Sequence, residues 1–485
     1  MRLFSALFVC FARLLGTGPA FLLVTVLITS QSAATSPPAA ATPIVRADRL
    51  AAAGKLDEAR AILEQYLAAQ PSSAMAHDRL GFVLGLQGAT AEAIAEFRKA
   101  AALDPKLADA QYHLGATLWW TKDIEEARAA LERAVRLRPA HAESRYYLGL
   151  TKRQQGDLDG AIAELRAAIK LNPSLAVAHL QLGVALQQTG DLDGAIAAFE
   201  RATTLDPSRG DASNSLGLAL MQKGDAQRAV ATLKAAVGRH PDFGSARLNL
   251  GTALLQTGAI DEAIAEYREL TRREPQNAEA FYDLGLALKQ HDEFDAAAEA
   301  LRTAMQLDPR LAEAPYTLGV VLWQTGKADE AVATFREALA RRADYADAHY
   351  MLGTIFRQRG DLEAALAEFR ETTRLDPSSA EGFRSLGHAL AAAHDDKGSA
   401  AALAEADRLT RAKADRQAAV FAVNAGLERL RSNQVAAAID RFREAIRLAP
   451  DNAQAHYHLS LALRRRGAMK EAQAELERAR QLGWK

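Results

Sequence analysis

Glutamine recurs along the chain every 34 residues, and an amide is well suited to holding a peptide backbone. Each side chain offers both a hydrogen-bond donor and an acceptor, so a regularly spaced row could bind an extended polypeptide without reading its sequence. The same row could instead join neighbouring helices, or reflect drift among duplicated segments. Its members are Gln154, Gln188, Gln222, Gln256, Gln290, Gln324 and Gln358.

Two of the four tryptophans, Trp119 and Trp120, are adjacent in a segment rich in Ala and Leu. Neighbouring residues of a helix point about 100° apart, so both rings cannot lie at the centre of one apolar stripe. Either this helix is buried nearly all round, or one ring faces something other than the core. Indole rings facing outward would offer a large apolar contact area to a partner.

Other kinds of chemistry are not indicated by the sequence. It has no glycine-rich phosphate loop, nucleophile elbow or zinc signature. The two copies of Asp-Leu-Asp-Gly, at 157–160 and 191–194, lack the later ligands of a calcium loop and predict turns between helices instead. The spacing of His456 and His458 favours surface histidines over metal ligands. We therefore expect no enzymatic activity, no cofactor and no metal.

Composition narrows the class of protein. The chain has 485 residues, of which 49% are apolar and 25% charged, as in a globular protein. Lys and Arg number 59 against 60 Asp and Glu, a balance that does not indicate nucleic-acid binding. Since Cys10 is the only cysteine, an intrachain disulfide and a cysteine metal site are both excluded.

The N-terminus differs from the rest of the chain. Arg2 and Arg13 precede an apolar run over residues 14–28, and small residues follow. This pattern predicts that residues 1–34 are an export signal cleaved after Ala34, or an uncleaved membrane anchor. Both interpretations place the rest of the chain outside the cytoplasm, periplasmic, secreted or membrane-anchored, because the arginines stay inside. A buried N-terminal helix is the remaining alternative. A Ser/Ala/Pro linker, residues 35–43, overlaps the start of the next region.

Beyond the linker, three residue types share the 34-residue period. Prolines recur from Pro71 and alanines from Ala93 at this interval. A fixed period of 20 to 50 residues is typical of a solenoid, in which each repeat packs on its neighbours. The third series is the glycine of a Leu-Gly pair, at Gly81, Gly115, Gly149, Gly183, Gly217, Gly251, Gly285, Gly319, Gly353 and Gly387.

Each period contains signals for two helices. A glycine such as Gly190 follows the first helical pattern and predicts a left-handed turn at its C-terminus. Asp191 then provides a cap for the second helix, which proline terminates. Strand signals are nearly absent, so the sequence predicts an all-α protein.

This repeat resembles the tetratricopeptide repeat, with Leu-Gly at positions 7 and 8, glycine at 15, alanine at 20 and proline at 32. Counting from Ala74 as position 1, the resemblance covers residues 40–485 as thirteen repeats. Ten regular repeats occupy 40–379, an irregular long repeat 380–418, and two more repeats 419–485. The resemblance implies a right-handed superhelical solenoid. In the irregular repeat, which is five residues longer and lacks the proline, we expect a longer second helix or loop and a local change in superhelical path.

The resemblance also implies that positions 2, 5, 9, 12 and 13 of each first helix line a concave groove. The glutamine row falls at position 13. The alternative for the tryptophans is packing against neighbouring first helices. The aromatic residues that we expect to bind a partner in the groove, besides the glutamine row, are Trp119, Trp120, Trp323, Tyr112, Tyr146, Tyr282, Tyr316 and Tyr350.

Together these features predict a non-enzymatic scaffold for protein–protein interactions. We expect it to bind extended protein or peptide partners in its concave groove, outside the cytoplasm, with membrane contact only through an uncleaved N-terminal segment. The alternative is a substrate-recognition or regulatory subunit of an enzyme system, such as a protein glycosyltransferase whose catalytic domain lies on another chain.

Overall fold

The computed structural model describes residues 42–484, which form 25 α-helices and no strand. The all-α prediction is confirmed. The predicted signal or anchor and most of the linker lie outside the described residues. None of the described helices is both long enough and apolar enough to cross a membrane. The chain divides into two compact bodies, an N-terminal body up to Glu266 and a C-terminal body from Tyr267.

In the N-terminal body the helices pair in sequence order, so that each 34-residue repeat contributes one antiparallel hairpin. The helices are α1 (Pro43–Ala52), α2 (Leu56–Ala69), α3 (Ala74–Leu86), α4 (Thr90–Leu103), α5 (Ala108–Trp120), α6 (Ile124–Leu137), α7 (Ala142–Gln154), α8 (Leu158–Leu171), α9 (Ala176–Gln188), α10 (Leu192–Leu205), α11 (Gly210–Lys223), α12 (Ala226–Arg239) and α13 (Gly244–Gln256). The body boundary falls within α14 (Ile260–Arg273).

The C-terminal body follows the same order until its long helix. Its helices are α15 (Ala278–Gln290), α16 (Phe294–Leu307), α17 (Glu313–Gln324), α18 (Ala328–Arg341), α19 (Ala346–Arg359), α20 (Leu362–Leu375), α21 (Ala380–Ala392), α22 (Asp396–Arg431), α23 (Val435–Leu448), α24 (Ala453–Arg466) and α25 (Met469–Gln481).

The Leu-Gly glycine allows the two helices of a repeat to approach closely. A Cβ atom on Gly183 would lie 2.6 Å from the Phe199 ring, which is completely buried. Ala195, at position 20 of the same repeat, is also completely buried. A large side chain at position 24 therefore fills the space that glycine leaves in the facing helix, and the alternation of small and large residues forms the core.

The turn between the two helices needs a left-handed residue. Gly190 has φ +84°, and the Asp191 carboxylate accepts a hydrogen bond from the Gly194 amide at 2.9 Å, which caps the second helix. Four repeats form the same turn without glycine. Their residues at this position, with φ between 57° and 64°, are Lys122, Asp292, His394 and Asn433.

Helix α22 is the main departure from the repeat. Its 36 residues replace the second helix of the irregular repeat and the first helix of the next one. Arg411 occupies the position where most other repeats have proline, so a backbone amide is available and the helix continues. The expected longer helix is therefore confirmed. Thirteen helix pairs become 25 helices because two of the expected helices are one.

Candidate partner-binding surface

First helices of consecutive repeats lie side by side in the N-terminal body. The contacts join a side chain at position 5 to the side chain 35 residues further on, at position 6 of the next first helix. We call this row of first helices the wall. The contacts are Asp78 Oδ1 to His113 Nδ1 at 2.8 Å, the rings of Tyr112 and Tyr147 with centroids 6.0 Å apart, and the amide of Asn249 donating to Asn214 Oδ1 at 2.7 Å.

An aromatic cluster lies on the wall where α5 meets α7. It consists of Tyr112, Trp119, Trp120, Tyr146 and Tyr147. The Tyr147 ring contacts three other members, with centroid distances of 5.9 Å to Trp119, 6.0 Å to Tyr112 and 5.2 Å to Tyr146. These contacts are edge to face, the arrangement that aromatic pairs prefer.

Members of the aromatic cluster differ in exposure. The rings of Tyr112 and Tyr146 are buried, with 4% and 7% of their surface exposed, whereas Trp119 and Trp120 are half-buried. Burial raises the pKa of Tyr146 to about 12, so its phenol is neutral. We predicted Tyr112 and Tyr146 as groove contacts. Both rings pack against Tyr147, which in turn contacts Trp119, and their role in binding stays a prediction. The two indoles form the accessible part of the cluster.

The two tryptophans have different neighbours. Trp119 packs against the apolar core of the first three repeats, so it is not a groove residue alone. Its indole N–H is buried without an acceptor among the described residues. Trp120 interacts with the Tyr147 side chain, which partly offsets the rise that burial causes in the pKa of Tyr147. An unsatisfied buried donor costs about 1–3 kcal/mol.

The glutamine row is exposed in full, with all seven members near the C-terminal ends of their first helices. Within the described chain, Gln222 is the only member of the row that forms a side-chain hydrogen bond: its Oε1 accepts from Gln187 Nε2 at 3.0 Å. The row therefore joins neighbouring first helices at Gln222 only, and not along its whole length. That the row binds a partner stays a prediction.

The C-terminal body carries further predicted groove aromatics, namely Trp323, Tyr282, Tyr316 and Tyr350, all half-buried. The Tyr350 hydroxyl donates to Glu381 Oε1 of the next first helix at 2.9 Å. These side chains are therefore partly accessible from the surface, and their role in binding stays a prediction.

Sequence reasoning missed a charged network at the start of the wall. Asp78 accepts from His113 and from Arg79 Nη1 at 3.0 Å, and Arg79 Nε lies 3.4 Å from Asp48 Oδ1. Asp78 and His113 are each 1% exposed. Burial raises the pKa of Asp48, which Arg79 partly offsets. No motif marks this network, because its members come from three different repeats.

A second missed group is the carboxyl of Asp283, at position 6 of α15. Burial, with a smaller contribution from Glu279, raises its pKa to about 6. This carboxyl therefore titrates near neutral pH on the face where the first helices meet. Among the described residues, no group of three or more His, Cys, Asp or Glu side chains is arranged to hold a metal ion.

Several solved structures match this chain, with low sequence identity and low TM-scores. YrrB, a TPR protein with an unusual peptide-binding site, is 26% identical over 38% of this chain and 95% of its own, with a TM-score of 0.34. MamA is 30% identical over 33% of this chain and 95% of its own, with a TM-score of 0.32. PilF of Pseudomonas aeruginosa is 20% identical over 43% of this chain and 94% of its own, with a TM-score of 0.38.

Comparison with protein families gives a clear assignment. No curated protein matches the chain. The family described as "Tetratricopeptide repeat" matches residues 44–108, 180–242, 215–278, 248–312, 316–380 and 423–485, and also 86–150, while "TPR repeat" matches 149–190. These matches extend over both bodies and account for most of the chain. The chain belongs to the tetratricopeptide repeat family.

Proposed function

We propose that this protein is a non-enzymatic scaffold that binds an extended polypeptide along its wall, and that it acts outside the cytoplasm. Tetratricopeptide repeats mediate protein–protein interactions and are typically non-catalytic. Membership of the family therefore gives the general function, an interaction scaffold. The proposed mode of binding and the proposed location are more specific than this general function, and a different observation supports each of them.

The observation that carries the mode of binding is the continuity of the wall from Trp120 into the glutamine row. Trp120 occupies the same repeat position as Gln154 and Gln188 in the two following repeats. An indole offers an apolar shelf for a side chain of the partner, and each exposed amide can both donate to and accept from its backbone. Such a surface selects an extended conformation and one apolar anchor, with little further sequence preference.

Photo-crosslinking in cells tests this mode of binding. A photoreactive amino acid in place of Gln188 should form adducts with a polypeptide partner, and Trp120→Ala with Gln154→Ala should reduce their yield severalfold. Gln227, an exposed amide on the second helix α12, is the matched control position and should form few adducts. Equal adducts at both positions, or a yield unaffected by the double variant, would contradict binding along the wall.

Support for the location comes from the sequence of the N-terminus alone. Arg2 and Arg13 followed by the apolar run over 14–28 are typical of export. Cell fractionation with N-terminal sequencing tests this: cleavage after Ala34 predicts a mature chain beginning at Thr35, and an anchor predicts an intact chain in the membrane fraction. An intact chain in the cytoplasmic fraction would refute the proposal.

The identity of the crosslinked partner also tests the alternative role. A catalytic subunit, such as a protein glycosyltransferase, would indicate substrate recognition or regulation of an enzyme. If the partner is instead a structural or assembly protein of the cell envelope, this would indicate a scaffold that is not part of an enzyme system.

A further inference from the structure

Arginine side chains that are removed from water in this protein have a carboxylate beside them. Nine arginines of the described chain are buried or partly buried, and eight of them form an ion pair with Asp or Glu. Such pairing is expected, because a desolvated charge is costly unless it is paired. The eight are Arg60, Arg79, Arg128, Arg145, Arg209, Arg247, Arg341 and Arg342.

Arg153, on α7, is the ninth and has no such partner. Its guanidinium forms no ion pair and no hydrogen bond with the described residues: the Nε atom is buried, whereas the two terminal nitrogens are accessible. Burial lowers the pKa of Arg153, and the Tyr146 phenol offsets this only in part, with no contribution from a carboxylate of the described chain. The wall therefore carries a partly desolvated positive charge that the described chain does not compensate.

Charged groups near Arg153 are already paired with one another. Glu164 accepts a hydrogen bond from Lys152 Nζ at 3.2 Å. Arg209 and Asp211, two charged groups near the aromatic cluster, form an ion pair of 2.7 Å. A polyanion would need several free cations, so the single uncompensated charge of Arg153 fits one carboxylate instead.

Arg153 lies on the wall between the aromatic cluster and the glutamine row. Tyr146, a member of the cluster, precedes it by seven residues, which is about two helical turns, so both lie on the same face of α7. The contact within the row, from Gln187 to Gln222, joins residues that are 35 apart. The same offset from Arg153 gives Gln188, so we expect Arg153 to lie beside this exposed member of the row.

We propose that Arg153 binds the carboxylate of an Asp or Glu side chain in the extended polypeptide partner, near the apolar residue that contacts Trp120; this inference rests on the proposed function. A guanidinium binds a carboxylate through two parallel hydrogen bonds, and the accessible terminal nitrogens of Arg153 are free to donate them. The partner thus supplies the ion pair that the other eight arginines form within the chain.

The position of Arg153 favours an internal acidic side chain over a C-terminal carboxylate. The proposed binding surface continues on both sides of it, with Trp120 in the preceding first helix and Gln188 in the following one. A partner that lies along this surface therefore passes Arg153 and does not end there. Packed helices are about 8–10 Å apart and an extended chain advances about 3.3 Å per residue, so the acidic residue should lie about two to four positions from the apolar one.

Peptide selection on the purified full-length protein tests this preference. The probe is a phage library of random linear peptides fused through their C-termini, so that every selected carboxylate belongs to a side chain. Enriched peptides should combine an apolar residue with Asp or Glu at the expected spacing. Arg153→Gln should enrich the apolar residue alone. Arg166→Gln is the matched control and should keep the acidic preference, because Arg166 is an exposed arginine on the second helix α8 of the same repeat.

The outcomes of the selection separate this inference from the proposed function. An apolar preference without an acidic one, or an acidic preference that Arg153→Gln retains, would overturn the inference and leave binding along the wall intact. Enriched peptides that bind equally well to a variant carrying Trp120→Ala and Gln154→Ala, or a selection without any enriched peptide, would contradict the proposed function and the inference together.

A selected peptide then allows the ion pair itself to be measured. Arg153→Gln should weaken binding of the peptide, amidated at its C-terminus, about tenfold in fluorescence anisotropy. Replacing the acidic residue of the peptide with its amide should have the same effect. The two changes together should weaken binding no more than either alone, because they remove one contact. Independent losses that multiply would show that Arg153 and the acidic residue do not meet.

Thermal unfolding distinguishes a binding role of Arg153 from a structural one. Arg153→Met removes an unpaired, partly buried charge and should leave Tm unchanged or raise it. Arg145→Met is the comparison and should lower Tm, because it leaves Glu164 without the ion pair that Arg145 forms at 2.8 Å. An equal decrease in Tm for both variants would show that Arg153 supports the fold, and would contradict the proposal.

Discussion

Trp119 and Trp120 meet edge to face, with ring centroids 5.1 Å apart and ring planes at 80°. Adjacent residues on a helix point in different directions, and the structure gives the two indoles different neighbours for this reason. Trp119 packs against the apolar core of the first repeats, whereas Trp120 is a half-buried ring beside the Tyr147 side chain. The pair therefore combines a supporting residue with a residue of the accessible surface.

We expect the two tryptophans to differ in their effect on stability. Trp119→Ala should lower the free energy of unfolding by about 2–3 kcal/mol, less than a fully buried ring, because it opens a cavity beside the core. Trp120→Ala should cost about 1 kcal/mol, because it removes the edge-to-face ring contact with Trp119 and opens no cavity in the core. Urea denaturation followed by circular dichroism measures both. Equal costs would contradict the division of roles.

The buried pair of Asp78 and His113 should stabilise contacts between repeats. Asp78→Ala leaves His113 and Arg79 without their shared acceptor and should cost about 3 kcal/mol. A double-mutant cycle with His113→Ala should give a coupling free energy of about 1–3 kcal/mol. Asp440→Ala, at an exposed position of α23, is the control and should change stability by less than about 0.5 kcal/mol. A coupling near zero would show that the 2.8 Å contact contributes nothing.

The sequence predicts the fold because each repeat carries its own local signals. Gly190 and Asp191 fix a turn and a cap within a few residues, and Gly183 leaves space for Phe199 only sixteen residues later. These relations recur every 34 residues, so they are visible without any alignment. Even α22 follows from a local change, the loss of proline at Arg411.

The candidate site is predicted less completely, because its contacts join different repeats. Asp78 and His113 are 35 residues apart, and the residue types at these two positions change from one repeat to the next. Side-chain exposure is also decided between repeats. Tyr112 and Tyr350 occupy the same repeat position, yet Tyr112 is buried by the neighbouring aromatic rings and Tyr350 is not. Periodicity places such residues on the wall but does not show which are accessible.

The two kinds of glycine in a repeat should respond differently to substitution. Gly183→Ala puts a Cβ atom 2.6 Å from the Phe199 ring and should cost about 1–3 kcal/mol through overpacking. Gly190 has no atom within 4 Å of an added Cβ, so only its φ of +84° resists substitution. Gly190→Asn should therefore cost less than about 1 kcal/mol, and Gly190→Val clearly more. Thermal unfolding of the three variants gives the order. Tolerance of Gly183→Ala would show that the two helices of a repeat are not closely packed.

The Asp283 carboxyl should make the stability of the protein depend on pH. Its pKa in the folded state is about 6, above the ordinary value of 3.8, because burial penalises the ionised form. Below about pH 4 the group is protonated in both folded and unfolded chains and carries no penalty. Between about pH 4 and pH 6 the unfolded chain ionises this carboxyl while the folded chain keeps it protonated, so stability falls as the pH rises, and the loss is complete above about pH 6. Asp283→Asn removes this loss. Relative to the parent, the free energy of unfolding of this variant should rise by about 1–2 kcal/mol between pH 4 and pH 7.5. The full pKa difference represents about 3 kcal/mol, and partial exposure of the carboxyl reduces it.

Urea denaturation at the two pH values measures the gain, with Asp440→Asn as the exposed control. A stability difference between variant and parent that is the same at both pH values would show that the Asp283 carboxyl is not penalised by burial.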